Sequence, residues 1–220
     1  MNDNYQKWKE NIDIIRGEIE KLIKYREIYK TIIEIVKSNK KIDKFNSYYA
    51  FLNDSFTVFC SIVIRKHVKN KNDGSITFVK LLEEIKGDSG SITKSHYYSL
   101  NRNPHVQEML KDQWARYCDG KTEFITPEYV TRDIDELTTK ARKIEKLGDK
   151  VIAHTDAKPP RELPTYGEVD DCIDLMEKQF KKYYLLFYDY EPNFGLPDEN
   201  NWTEIFLVPW IVEDSTGKQG

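Results

Sequence analysis

The segment around His154 carries side chains that could move a proton and hold a phosphate. Residues 149–156 read Asp-Lys-Val-Ile-Ala-His-Thr-Asp. A histidine takes up or gives a proton near neutral pH, and Lys150, one helical turn before His154, could hold a phosphate as a point charge. Asp149 and Asp156 could orient the imidazole. The segment therefore predicts an acid–base site, and the alternative is a structural histidine that bonds to one of these carboxylates.

A further cation beside His154 could help to hold a phosphate, but the spacing does not say which one. A guanidinium can bind a phosphate through two hydrogen bonds. The candidates are Arg65 and Lys66, at the end of the predicted second helix, and Arg142, further back on the helix that leads to His154. Each would contact phosphate only if folding brings it beside the histidine. For Arg65 the alternative is an ion pair within the bundle, for instance with an acidic residue of the first helix.

The composition is that of a globular protein without a membrane span. Of the 220 residues, 39% are hydrophobic, 13% aromatic and 32% charged, and the mean hydropathy is -0.68. No run of about 18 apolar residues exists, and the first residues are charged and lack the apolar stretch of a secretory signal. We therefore expect a cytoplasmic protein with one main domain and no membrane contact.

Cysteine spacing and short motifs give no sign of a metal or a cofactor. Cys60, Cys118 and Cys172 are widely spaced, which predicts reduced thiols in the core, and we expect no metal site. No glycine-rich dinucleotide motif and no P-loop is present, so we expect no cofactor. Residues 1–80 carry 16 Lys and Arg against 10 Asp and Glu. This basic part predicts either a surface that faces phosphate or an ordinary solvated helix face.

Two long helices are predicted in the first 70 residues. Apolar side chains from Trp8 to Val36 alternate steps of four and three, which keeps one stripe on one face for about 30 residues. Arg26 is the only polar break. A stripe of this length predicts packing against a neighbouring helix or a second subunit. The second helix, over residues 43–69, has apolar side chains on more than one face, which predicts that it is the central and most buried helix.

Local start signals divide the rest of the chain into shorter helices. Ser75 is a candidate N-cap, and residues 87–104 are rich in residues typical of a loop. Pro104 and Pro127 can each occupy the first position of a helix. The stretch Thr165–Glu168 forms a capping box, in which the threonine and the glutamate each bond the backbone N–H of the other.

These patterns together predict an all-α fold. We expect an antiparallel helix bundle over residues 1–190 and an irregular, extended tail over residues 191–220. The tail contains Trp202, Phe206 and Trp210, which we expect to dock on the bundle because large aromatic side chains gain most from burial.

Three motifs in this order resemble the HEPN superfamily, small helical bundles common in bacterial toxins and antiphage systems. They are the aromatic run Ser47–Leu52, the stretch Ala153–Asp156 after a long helix, and Thr165–Glu168 at the start of the next one. The likeness is greatest to the abortive-infection U-type branch and covers residues 5–190. It implies a homodimer that brings two motifs to one cleft. In many members it implies metal-independent RNA cleavage, with an arginine, four to six residues, and then the histidine.

The sequence departs from the HEPN pattern at that arginine, because Gly148 holds the usual position. The first hypothesis is therefore a non-catalytic or degenerate HEPN-like protein of a bacterial defence or toxin-type system, which binds a protein or a nucleotide or RNA partner as a homodimer. The alternative is a metal-independent endoribonuclease in which His154 is the acid and base and Arg65 is a non-standard basic partner. In that case the further phosphate-binding groups would be Lys150, Arg142 and Lys66.

Overall fold

The structure is helical throughout its described parts. The computed structural model describes residues 3–42, 47–69, 74–101, 103–119, 122–149, 162–195 and 202–208. Within them lie seven α-helices: α1 Asp3–Ser38, α2 Ser47–Val68, α3 Phe78–Gly87, α4 Lys94–Ser99, α5 Pro104–Trp114, α6 Pro127–Leu147 and α7 Tyr166–Tyr184. Two short 3-10 segments, Ser89–Ser91 and Trp202–Leu207, complete these ranges. No strand occurs there, and the predicted all-α class is confirmed.

Four long helices, α1, α2, α6 and α7, form the bundle, and α3 packs against α1, α2 and α6. Helices α1 and α7 run antiparallel. Tyr5, near the start of α1, donates to the carbonyl of Leu186, just beyond the end of α7. Arg26, near the middle of α1, pairs with Asp174 in the first half of α7. Among the described helices, none has the length and the apolarity needed to cross a bilayer.

The predicted stripe of α1 is buried only over its first two thirds. The side chains that the bundle covers are Tyr5, Trp8, Ile12, Ile15, Ile19, Leu22, Ile23 and Arg26. Beyond Arg26 the stripe continues in sequence, but its side chains are only partly covered. Arg26 itself is paired with carboxylates of α7, Asp174 and Glu177, and with Glu27 beside it. A buried cation needs such partners, so the polar break in the stripe has a structural role.

Two helix starts differ from the sequence prediction. Thr77, and not Ser75, caps α3, because its hydroxyl accepts a backbone N–H from the first turn. The predicted loop 87–104 contains α4, which begins after Thr93, whose hydroxyl accepts the backbone N–H of His96. Both caps are threonines that bond three residues ahead. The helix starts at Pro104 and Pro127 and the capping box Thr165–Glu168 are confirmed.

The prediction that α2 is the most buried helix is wrong. Only the last third of α2 contributes fully buried side chains, from Cys60 to Val68. Its first half exposes large apolar groups, of which Phe51 is 64% exposed and Tyr48 46%. The apolar side chains of this half are therefore not all covered by the other described helices. We call residues 25–38 and 47–59 the α1–α2 arm.

The described residues that directly follow α7, up to residue 195, form no regular helix and are partly packed on the bundle. Phe194 is buried, and its ring lies 5.8 Å from that of Phe180 on α7. Trp202 and Phe206 are half-buried, and their rings meet edge to face at 6.2 Å. Trp210 lies outside the described residues.

Candidate functional site

The described part of the predicted site lies where α2 and α6 end. His154, Lys150 and Asp156 lie outside the described residues. The structure does place Arg65, Lys66 and Arg142, together with Gly148 and Asp149, at the base of that segment.

At Gly148 the backbone of α6 lies close to α2. Its backbone is right-handed helical, with φ -57° and ψ -42°, so the position does not need glycine for its φ angle. It needs glycine for space. A Cβ built at residue 148 would lie 3.0 Å from Cδ of Arg65 and 3.7 Å from the backbone oxygen of Ser61. The Arg65 side chain therefore fills the space that a side chain at residue 148 would take.

Asp149 pairs with two cations of α2. Its Oδ1 accepts from Nε of Arg65, and its Oδ2 accepts from Nζ of Lys69. Lys69 also lies 3.6 Å from Oε1 of Glu145, one turn earlier on α6. The hydrogen bonds from Lys69 and Arg65 lower the pKa of Asp149 from its usual value. Asp149 is thus a charged anchor between α2 and α6.

A second polar cluster joins α2 to α1 on the other side of the helix. Lys66 donates to Oε1 of Glu18, and Nε2 of His67 lies 3.1 Å from Oε2 of the same carboxylate. The imidazole of His67 is fully buried. The hydrogen bond with His67, assisted by that with Lys66, lowers the pKa of Glu18 to about 2. The cluster fixes the end of α2 against the middle of α1.

Arg65 forms an ion pair within the bundle, as its structural alternative predicts. The partner is Asp149 of α6, whereas Lys66 pairs with Glu18 of the first helix. Successive residues of a helix point about 100° apart, so neighbours in sequence face different helices.

Arg142 lies on the same face of α6 as Asp149, two helical turns earlier, or about 10 Å along the axis. Its side chain is exposed, and within the described ranges it forms no ion pair.

Lys69 is a further cation of this cluster, and it was not among the residues predicted from the sequence. A signal for it was present, because residues four apart on a helix are neighbours, so Lys69 had to accompany Arg65.

The described residues offer neither a metal cluster nor a reactive thiol. No group of three or more His, Cys, Asp or Glu side chains within them could hold a metal ion. The three cysteines are free and buried, as predicted. Burial raises the pKa of Cys60 and of Cys172 to about 12, so both thiols stay protonated at neutral pH and are poor nucleophiles.

No family model, no curated protein and no solved structure matches this chain. The HEPN assignment therefore rests on the three sequence motifs alone, and the function must be argued from the side chains themselves.

Proposed function

We propose that the chain is a HEPN-like helical-bundle protein of a bacterial defence or toxin-type system, which acts by binding a protein or RNA partner as a homodimer and does not cleave RNA. The observation that carries this proposal is the pairing of Asp149 with Arg65 and Lys69. Both carboxylate oxygens are used. Two cations of α2, Arg65 and Lys69, are therefore already paired with a carboxylate of the same chain, that of Asp149.

This neutralisation argues against catalysis at the motif. A nuclease stabilises the negative charge that develops on the scissile phosphate with cations that are ready to receive it. Here a phosphate would have to compete with Asp149 for the guanidinium of Arg65. The same pairing holds α2 to α6, and such a role is typical of a structural ion pair.

The homodimer is supported by the α1–α2 arm. Its groove of about 400 Å³ is lined by Tyr25, Ile28, Tyr29, Ile32, Leu52, Ser55, Phe56 and Phe59. Within the arm, the rings of Tyr29 and Phe56 stack at 4.0 Å, so the two helices form one stiff surface. An exposed apolar patch of this kind is typical of a protein interface. The arm has the size of one side of a standard interface, about 20 to 30 residues.

A second copy of the chain is the occupant that fits this arm best. A two-fold contact would place the same apolar face on both sides, which a self-complementary interface requires. It would also continue the stripe of α1, whose apolar residues after Arg26 are only partly covered.

The ribonuclease is kept as a second candidate because of one feature of Arg65. Its pairing with Asp149 uses Nε, and within the described residues its two terminal nitrogens donate to no other group. They could reach a phosphate beside the segment that carries His154. The 2′-hydroxyl of RNA would be the nucleophile, His154 would take and give the proton, and no metal would be needed.

Labelled single-stranded RNA, incubated with the purified protein in EDTA, tests the two candidates. We expect no cleavage by the wild type. Cleavage that yields 2′,3′-cyclic phosphate ends, and that both His154→Ala and Arg65→Ala abolish, would overturn the proposal in favour of the ribonuclease. Lys21→Ala is the matched control, because Lys21 is an exposed cation on α1.

A further inference from the structure

A second concentration of positive charge lies far from the predicted site, near the start of α6. A pocket of about 470 Å³ opens there between the end of α5, the first half of α6 and the last half of α7. The charged residues that line it are Arg116, Arg132, Asp133, Glu136, Lys178 and Lys182. Asp133 and Asp149 are separated by about 24 Å along the axis of α6, so the pocket is distinct from the cluster around Arg65.

The buried carboxylate of this pocket is already used by the protein. Oδ2 of Asp133 accepts from Nζ of Lys182 and, at 2.9 Å, from the hydroxyl of Tyr183. Its other oxygen lies 3.8 Å from the guanidinium of Arg132. Glu136 is approached by the side-chain amide of Gln179 at 3.4 Å. Asp133 therefore balances Lys182, and only Glu136 is left to balance the other cations of the wall.

Two cations of the wall form no ion pair with the described residues, and a third, Arg132, has only Asp133, at 3.8 Å. Arg116 and Lys178 are exposed and form no ion pair there. Arg132 stacks over the ring of Tyr129, with 4.8 Å from its central carbon to the ring centre. Such a stack holds a guanidinium without cancelling its charge. The pocket thus keeps a net positive charge.

The pKa of Lys182 reflects this positive charge. Burial lowers the pKa of Lys182, the hydrogen bond with Asp133 opposes this, and the charges of Arg132 and Arg116 lower it further. The two guanidinium groups, which line the same pocket, therefore repel the ammonium. An anion between them would relieve that repulsion.

We propose that this pocket binds the phosphoryl group of a small phosphorylated molecule of about mononucleotide size. Arginine is suited to a phosphate because its planar fork donates two parallel hydrogen bonds, and Lys178 and Lys182 add charge without fixed geometry. The volume lies within the range of small-molecule sites, about 300 to 1000 Å³. A concave pocket with low-dielectric walls strengthens the attraction between these cations and a phosphate, compared with the same cations on an open surface.

Titration calorimetry with inorganic phosphate, a nucleoside monophosphate and a sugar phosphate tests the proposal and identifies the source of the phosphoryl group. We expect binding of at least one of them at millimolar concentrations or below. Arg116→Gln and Lys178→Gln should each weaken it about tenfold, as expected for loss of one charge-assisted hydrogen bond. Both side chains are exposed, so neither substitution should affect folding, and thermal melts check this.

One control variant separates this pocket from other basic surfaces. Lys21→Gln removes an exposed cation of α1. It should not change the affinity for the phosphorylated molecule. Absence of binding by all three ligands would overturn the proposal, and so would binding that the double variant Arg116→Gln/Lys178→Gln leaves unchanged. Binding of oligonucleotides alone would also overturn it. RNA cleavage has no bearing on any of these outcomes.

Discussion

The side chain of Arg65 lies against Gly148, and the two residues join α2 to α6 at the base of the HEPN-like motif. A Cβ at residue 148 would come within 3.0 Å of Cδ of Arg65, a distance at which one of the two must move. In HEPN nucleases the catalytic arginine is expected at the place of Gly148. In this chain an arginine from another helix fills the same space.

Gly148→Arg should therefore destabilise the protein and should not restore a nuclease. The helical φ angle at residue 148 accepts any side chain, but the space does not. Overpacking of a filled site costs about 1 to 3 kcal/mol, and we expect a loss of this size in the free energy of unfolding, measured by urea denaturation. Gly17→Arg is the matched control, because a Cβ at residue 17 meets no atom within 4 Å. If the two variants are equally stable, the close contact with Arg65 is not a constraint.

Arg26→Ala should be among the most destabilising single changes in α1. The side chain is only 8% exposed, and its removal leaves Asp174 and Glu177 facing each other without their cation. Asp174 is 63% exposed, so water screens the carboxylates that remain, and the loss of the charge-assisted hydrogen bonds costs about 1.5 to 3 kcal/mol. Lys30→Ala, which removes an exposed partner of Asp170, should cost less than about 1 kcal/mol. Chemical denaturation of both variants measures the difference, and equal losses would contradict the role assigned to Arg26.

Glu18→Gln should lower stability at neutral pH and lose this effect in acid. Folding lowers the pKa of Glu18 from 4.5 to about 2. A carboxylate with a lowered pKa stabilises the folded state above its unfolded pKa, and the contribution is lost as pH falls through the folded value. The gap between wild type and variant should thus close as pH falls from 4.5 towards 2. Urea denaturation across this pH range measures it. Glu34→Gln, at an exposed position of α1, should show a smaller gap, and a gap for Glu18→Gln that does not depend on pH would contradict the pairing with His67 and Lys66.

Phe51→Asp should prevent the proposed homodimer from forming without unfolding the chain. The ring is 64% exposed in the single chain, so its replacement costs the monomer little, whereas a carboxylate at the centre of an apolar interface stays unpaired. Sedimentation at tens of micromolar measures the state of association, and circular dichroism checks the fold. Leu163→Asp is the control, because Leu163 is as exposed but lies outside the arm. A wild type that sediments as a monomer would remove the dimer from the proposed function.

The sequence was sufficient for features that depend on near neighbours. The buried face of α1 follows from the helical period. The helix starts at Pro127 and Thr165 follow from the residue types preferred at the first positions of a helix. Two errors were local: Thr77, and not Ser75, caps α3, and the predicted loop contains α4. The error about α2 had a longer range. Its apolar faces predicted burial, but burial depends on whether other helices reach that far, and among the described helices none covers the ring of Phe51.

What the sequence by itself determined is every described α-helix except the short α4, since periodicity and capping act over about four residues. Only the tertiary structure decided that Arg65 meets Asp149, a residue 84 positions away, while Lys66 meets Glu18. It also decided that Arg116, Arg132, Lys178 and Lys182 share one pocket. The physical reason is that a side chain's direction is set by its own helix, but its partner is set by the angle and distance at which two helices cross.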